Sequence, residues 1–389
     1  MDIKERIDEL FEELVEIRRD FHMHPELSEN ESRTCDKICE YLSNWDIEYQ
    51  RGVAGFGVVA IIRGKRAGRT LAVRADIDAL PVIEENELSY KSVNEGIMHA
   101  CGHDVHTTIN LGVAKLFKEM ESELGGNVKI LFQPAEETTG GAKRMIEEGC
   151  LSNPKVDYIL SLHVAPYFDA GHIELKFGKF NAAANEFSIK IEGKSGHAAY
   201  PEGTVDAIVV TGHIITGLQT IVSRNTSPLD QVVVTLGKIN GGVKNNIIAK
   251  EVIISGTLRT LNPKTRAYAK NRIQEISENT AKAYGAVASL VFEEGYPVLI
   301  NDNQLTDLLL SVAQSELGMD KVHLKEFPSM GADDFSFFCE ETKGVYYNLG
   351  CGNKEKEWTS SIHSSKFMVD EECIKTGVLL QIKTLMSLM

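Results

Sequence analysis

Three short stretches of the chain concentrate residue types that can hold a cation or move a proton. The first is Met98-His99-Ala100-Cys101-Gly102-His103-Asp104. A Cys and a His two positions apart, beside a Gly and ahead of a helical stretch, can share one metal. Thiolate and imidazole suit zinc and similar transition metals. The same pattern also fits a buried Cys next to a His that caps a helix. The second stretch is Glu136-Glu137, which follows an apolar run and Pro134. Two adjacent carboxylates in a crevice repel one another, and a cation would relieve this by taking one and leaving the other free to accept a proton. In a solvated loop the pair would do nothing. The third group is His163, directly after the run 158–162, and His363 within Ser361-Ile362-His363-Ser364. Each alone reads more readily as a structural histidine than as a ligand.

The elements that must position these groups follow from hydrophobic pattern. Apolar runs at 70–73 (TLAV), 128–132 (VKILF) and 158–162 (YILSL) end abruptly in Arg74-Ala75-Asp76-Ile77-Asp78, in Glu136-Glu137 and in His163. Helical stretches at 107–120 and 141–148 lie between them. Buried strands alternating with helices predict a mostly parallel sheet flanked by helices, with ligands beyond the carboxyl ends of the strands. Before this region, Ile3, Ile7, Leu10, Leu14, Ile17 and Phe21 mark one face of an opening helix that halts before Pro25. A helix at 31–42 and a strand at 57–63 follow. From 185 the rhythm changes: a half-buried strand at Phe187, Ile189 and Ile191, a helix at 206–223, strands at 231–239 and 251–260, a helix opened by Pro263, and a strand at 288–293. That order is the split βαβ of a ferredoxin-like α+β sandwich. The α/β pattern resumes with a helix at 303–317 and a strand at 345–349. The expected architecture is therefore an α/β domain of residues 1–184 and 293–389 carrying the metals, interrupted by a lid or dimerisation domain of residues 185–292.

Composition narrows the function classes. With 389 residues, 43% hydrophobic, the chain is long enough for two cores. A formal net charge of −15 disfavours nucleic acid as a partner. The charged opening segment has no apolar core for a signal peptide, and no later stretch reaches about 20 apolar residues, so no membrane association is expected. Seven scattered cysteines are no disulfide framework and suit a reducing cytoplasm. Cys35 and Cys39, four apart on a helix, and Cys351 read as packing residues. His22, His24, His99 and His106 read as scaffold.

Taken together, RRDFHMHPELS, RADIDALP, MHACGHDVHT, FQPAEE, GGAKRMIEEG, LHV, GKSGHAAYPE, IVSRNTSPLD, NIIA, GTLRT and IHSSKF, spread over residues 18–367, resemble the aminoacylase/carboxypeptidase family of metallohydrolases. The resemblance is to the branch with hippurate hydrolase, indole-acetyl-amino-acid hydrolase and N-acetyldiaminopimelate deacetylase. It implies that Cys101, His103, Glu137, His163 and His363 ligate two divalent ions and that Glu136 is the general base. It implies that His197, from the inserted domain, stabilises the oxyanion in its own or a neighbouring subunit. Asn246 and Arg259 would hold the substrate carboxylate, and Asp76 and Asp78 would orient ligands. Three positions depart from the pattern: Val105 for a usual Gly, Ala249 for a frequent Pro, and Asp333 for a commoner Glu. None removes a ligand.

The function expected is a metal-dependent amidohydrolase, a homodimer, acting on small N-acyl-L-amino acids. The thiolate leans to zinc and the carboxylates permit manganese, with cobalt and nickel also open. The rivals are an N-acetyldiaminopimelate deacetylase, a dipeptidase or carboxypeptidase on the same machinery, a catalytically silent metal-binding protein, and a redox protein built on the cysteines.

Overall fold

The computed structural model describes residues 2–293 and 295–389. They fall into two compact units: residues up to Gly178 with Ile300–Phe327 and Asp334–Met389, and Lys179–Leu299 with Pro328–Asp333. In chain order the elements are α1 (Ile3–Met23), α2 (Ser32–Asn44), β1 (Glu48–Val53), β2 (Gly57–Arg63), β3 (Arg66–Asp76), α3 (His103–Glu119), β4 (Gly125–Gln133), α4 (Ala142–Glu147), β5 (Tyr158–Asp169), β6 (Ile173–Leu175) and β7 (Gly178–Asn181). Then come β8 (Ala183–Glu192), α5 (Ala207–Thr220), β9 (Val232–Gly241), β10 (Glu251–Thr260), α6 (Pro263–Ala283) and β11 (Val287–Phe292). The chain ends with β12 (Leu299–Asn301), α7 (Asn303–Leu317), β13 (Val322–Leu324), α8 (Phe335–Glu341), β14 (Lys343–Gly352) and α9 (Cys373–Met386).

The first unit is built on an eight-stranded sheet, β1-β2-β4-β3-β5-β14-β6-β13. Its centre, β4-β3-β5-β14, is wholly parallel. The antiparallel hairpin β1–β2 extends one side, and β6 joins the other antiparallel to β14. Strands covered on both faces must be apolar along their length. In β14 every residue after Lys343 is buried, and β2 is buried up to Arg63. Helices α1, α3 and α9 pack together as a cover, and their facing residues form the core. Asp2 starts α1 by accepting the Lys4 N–H at 2.9 Å. Among the described residues, no helix is long and apolar enough to cross a membrane.

The second unit is a four-stranded antiparallel sheet, β11-β8-β10-β9, packed against α5 and α6. Phe187, Ile189, Val210, Ile214, Ile254 and Ile273 are among its buried residues. Both helices are capped by the residue before them: Asp206 accepts the Ile208 N–H and Asn262 the Lys264 N–H. This is the β-α-β-β-α-β order read from the sequence.

Two local expectations shift in ways that matter for the site. Helix α3 begins at His103, not 107, because Gly102 takes the left-handed conformation (φ 81°) and turns the chain into the helix. A Cβ at Gly102 would collide with Val164. Strand β5 continues to Asp169, so His163 lies inside a strand and not beyond its end. The terminal helix α9 has no counterpart in the sequence reading. Eleven of its residues are buried, from Cys373 to Leu385, and a helix buried nearly all round loses the one-faced periodicity that marks surface helices. The short strands β6, β7, β12 and β13 are too brief to show a period.

Candidate metal centre

Side chains from four separate segments of the first unit converge. Cys101 and His103 flank the Gly102 turn at the start of α3, Glu137 follows β4, His163 lies in β5, and His363 precedes α9. Cys101 Sγ is 3.3 Å from both His163 Nε2 and His363 Nε2. Glu137 Oε1 is 3.3 Å from His363 Nε2 and 3.8 Å from His103 Nε2. Donor atoms of Cys101, His103 and His163 lie within 4.8 Å of one another. So do those of Cys101, Glu137 and His363, and those of His103, Glu136 and Glu137. The structure thus brings together all five sequence-read ligands, with Glu136 beside them.

His103 and His163 are turned inward by their other ring nitrogens. His103 Nδ1 donates to the backbone carbonyl of Asp78 at 2.9 Å, with the Asp78 carboxylate 3.2 Å away. His163 Nδ1 donates to the carbonyl of Val164 at 2.9 Å. In both rings this leaves Nε2, without a proton in the neutral form, facing the cluster. His363 adopts the left-handed region (φ 64°), and its N–H donates to Ala100 O at 2.8 Å, which seats it one residue from Cys101. Asp78 spans two candidate ligands, since its Oδ2 also accepts the Glu137 N–H at 3.0 Å.

The electrostatics are those of a site short of positive charge. Burial pushes the Cys101 thiol well above its usual range, and Glu137 and Glu136 add to this. Burial alone would lower His103, but Asp76, Asp78 and Glu137 raise it to about 10. Burial likewise works against the Glu137 carboxylate, yet His363 and His103 hold it down to about 2. Burial with His106 nearby lowers His163 to about 4. His103 Nε2 and Glu137 Oε1 are buried without a hydrogen-bond partner. An imidazole nitrogen and a carboxylate oxygen left without a hydrogen bond, beside a thiol that meets two further imidazoles, fit divalent cations with soft and borderline character.

Asp76 is placed differently from Asp78. Its Oδ1 accepts from His106 Nδ1 at 2.6 Å, and its Oδ2 from Arg74 at 2.7 Å. The Val164 N–H donates to His106 Nε2 at 2.9 Å, so both His106 nitrogens are engaged and this ring is bound into the scaffold. Arg74 is fully buried and also reaches Asp334 at 2.7 Å and Gln133 at 2.8 Å. Asp334 in turn accepts the Ala142 N–H at 3.0 Å. The sequence reading gave no role to Arg74, Gln133 or Asp334; an arginine ending an apolar strand was the available signal. His22 bridges Asp104 at 2.8 Å and Glu84 at 3.2 Å beneath α3. His24 donates to Asp20 O, and Cys35, Cys39 and Cys351 are buried.

In the second unit, His197 and Asn246 lie on facing segments, joined by the Ala198 N–H to Asn246 O bond at 3.1 Å and an antiparallel bridge between His197 and Ile247. Both side chains are exposed. The Ala199 N–H donates to His197 Nδ1 at 3.1 Å, which leaves the ring proton of neutral His197 on Nε2, ready to donate. Arg259 is half-buried in β10, opposite Ala184 and Val233.

Comparison with known proteins places the chain in a family. The description of peptidase family M20/M25/M40 matches residues 72–387. An N-acetyl-L-cysteine deacetylase of Bacillus subtilis is 38% identical over 366 residues, covering 94% of this chain and 85% of that protein. Thermostable carboxypeptidase 2 of Saccharolobus solfataricus is 36% identical over 381 residues, 97% of this chain and 95% of that one. The crystal structure of the Bacillus subtilis YXEP protein, described as a dinuclear metal-binding peptidase of the M20 family, superposes with a TM-score of 0.84 at 32% identity, covering 98% of this chain and all of that one.

Proposed function

The chain belongs to peptidase family M20/M25/M40, and from that membership and its site we propose a metal-dependent amidohydrolase that splits small N-acyl-L-amino acids into a carboxylic acid and an amino acid. One observation carries the reading: His103 Nε2 and Glu137 Oε1 are buried and unsatisfied around the space that Cys101, His163 and His363 also face. Those five residues would hold two divalent ions, zinc or manganese first, cobalt or nickel next. When bound, such ions polarise the amide carbonyl and make water a better nucleophile.

The chain's own groups do the rest. Glu136, beside Glu137 at the mouth of β4, accepts the proton of the attacking water and returns it to the leaving nitrogen. His197 donates from Nε2 to the developing oxyanion. Asn246 and Arg259 hold the substrate carboxylate, for which a guanidinium fork is suited. Asp78 keeps His103 and Glu137 aimed, and Asp76 acts through His106, which holds the Val164 N–H beside His163. Residues 185–292 act as a lid and as the dimer contact. The exposed Ile208 and Val209 on α5, and Ile239 on the edge strand β9, support the pairing role. Free cysteines throughout support a reducing compartment, the cytoplasm.

The experiment is hydrolysis of an N-acyl amino acid panel with acetyl, benzoyl and aminoacyl members, N-acetyl-L-cysteine and N-acetyl-L,L-diaminopimelate among them. Chelated protein is compared with protein given Zn²⁺ or Mn²⁺. Metal-restored release of free amine supports the reading, and the best substrate separates deacylase from dipeptidase. Glu136→Gln should abolish turnover with metal retained; an active variant would remove Glu136 as the base. Metal-loaded protein that turns over no member would instead favour a silent binder.

A further inference from the structure

The turn bearing Glu136 and Glu137 leaves β4 through Pro134 and Ala135. Ala135 is fully buried and left-handed (φ 56°), a conformation that a residue with a Cβ adopts only when its surroundings impose it. Its carbonyl accepts the Gly140 N–H at 2.9 Å, which closes the turn. Its own N–H donates to Glu31 Oε1 at 2.8 Å, across 104 positions of sequence. Glu31 stands at the start of α2 and is 0% exposed. Its second oxygen is buried with no hydrogen-bond partner.

A carboxyl in that position is costly. Burial pushes it up to about 7, against the opposing pull of backbone N–H groups that include Ala135. An apolar side chain would fill the space at lower cost, so the acid is there for what its oxygen accepts. Two residues on, the Glu137 N–H is held by a different carboxylate, Asp78 Oδ2, at 3.0 Å. The turn is gripped at 135 and at 137 by separate acids, and Glu136 lies between the two grips.

We propose that Glu31 is a positioning residue, which fixes the left-handed Ala135 and thereby aims Glu136, while Asp78 separately fixes Glu137. The proposal rests on Glu136 being the base. It divides the turn into a half that sets the rate and a half that sets metal retention. Loss of the Glu31 acceptor lets Ala135 relax and displaces the base, and a misplacement of roughly 1 Å costs about 100-fold in rate.

The test uses the metal-loaded full chain and the best substrate of the acyl panel. The variants are Glu31→Met, which fills the site without an acceptor, Glu31→Gln, which keeps an amide oxygen, and Glu136→Gln. Melting temperature, metal content, kcat and KM are measured for each. The expected result for E31M is a kcat ~10- to 100-fold lower with KM and metal content unchanged. E31Q should stay within about 3-fold of the parent, because it still accepts the N–H. Adding Ala135→Gly to E31M should recover part of the kcat, since Gly holds a left-handed φ without strain. A folded E31M with parental kcat overturns the proposal, as does loss of metal in step with activity. If E31M does not fold, E31Q decides: kcat within about 3-fold supports the role, and a loss beyond about 10-fold in a folded protein overturns it. A turnover-competent E136Q would sink the base assignment itself, whatever the Glu31 variants do.

Discussion

The two units place their polar groups by opposite means. In the first, His103 is 0% exposed and Cys101 6%, and the His103 and His163 rings are locked by bonds from their far nitrogens. Behind them Arg74, Asp76, Gln133 and Asp334 form a buried polar layer. In the second unit, His197 and Asn246 stand exposed on facing loops, tied by main-chain bonds and the Ala199 N–H. Buried groups of the first kind are bound up with stability and metal affinity, because removing one strands another. Exposed groups of the second kind can be removed at little cost to the fold, so their loss shows in activity alone.

The largest effect should come from emptying the buried site. Chelated protein should retain under ~0.1% of its activity and regain it with Zn²⁺ or Mn²⁺. Activity that survives complete removal, verified by elemental analysis, would end the comparison at once. Next comes Arg74→Met. It leaves the Asp76 and Asp334 carboxylates buried without their counter-ion, and breaking such a set costs about 3–5 kcal/mol. Urea unfolding reads this directly; a change under about 1 kcal/mol would show that the layer is not a determinant of stability.

His197→Ala tests the other half. Turnover should fall by about 10²–10³-fold, as for loss of one oxyanion donor. The urea midpoint should stay within about 0.5 kcal/mol of the parent, because the ring is exposed. An unstable variant would contradict the contrast, and an active one would contradict the role. Mixing this variant with Glu136→Gln asks which subunit His197 serves. Random reassortment of a dimer should restore roughly a quarter of parental activity if it acts on its partner's site, and none if it acts on its own.

The same contrast explains what was legible in the sequence. The ligands sit in short local patterns, and Cys101 and His103 are two residues apart on one turn. The apolar runs of β3, β4 and β5 announced strands, and their order announced a shared crevice. What stayed hidden joins distant positions. Arg74 meets Asp334 across 260 residues and Glu31 meets Ala135 across 104, and nothing in either neighbourhood names the other. The run YILSL predicts a strand that ends before His163; the continuation VAPYFD is held by pairing with β14, a tertiary effect. Burial nearly all round erases the period of α9, so no one-faced pattern marks that helix in the sequence. Asn246 lies before β10 and Arg259 near that strand's other end, so no local pattern in the sequence joins the two.

The pH dependence should have opposite signs in the two forms of the protein. In the metal-free chain, His103 is raised to about 10, against burial, by Asp76, Asp78 and Glu137, from an unfolded value near 6.5. A raised folded pKa stabilises fully below the unfolded value, so this contribution is present below about pH 6.5 and is lost as pH climbs to about 10. Metal needs the unprotonated ring and the Cys101 thiolate, both of which this environment holds protonated. Metal uptake therefore competes with protons, and apparent affinity should rise by up to about 100-fold per pH unit over that window as two protons are displaced. Melting curves should show the metal-free protein losing stability from pH 6.5 to 10 while saturation needs less and less metal. Calorimetry in buffers of different ionisation enthalpy counts the released protons. A count of zero would mean that the cluster holds its cations through groups already deprotonated, and Cys101 and His103 would then have to be replaced as ligands.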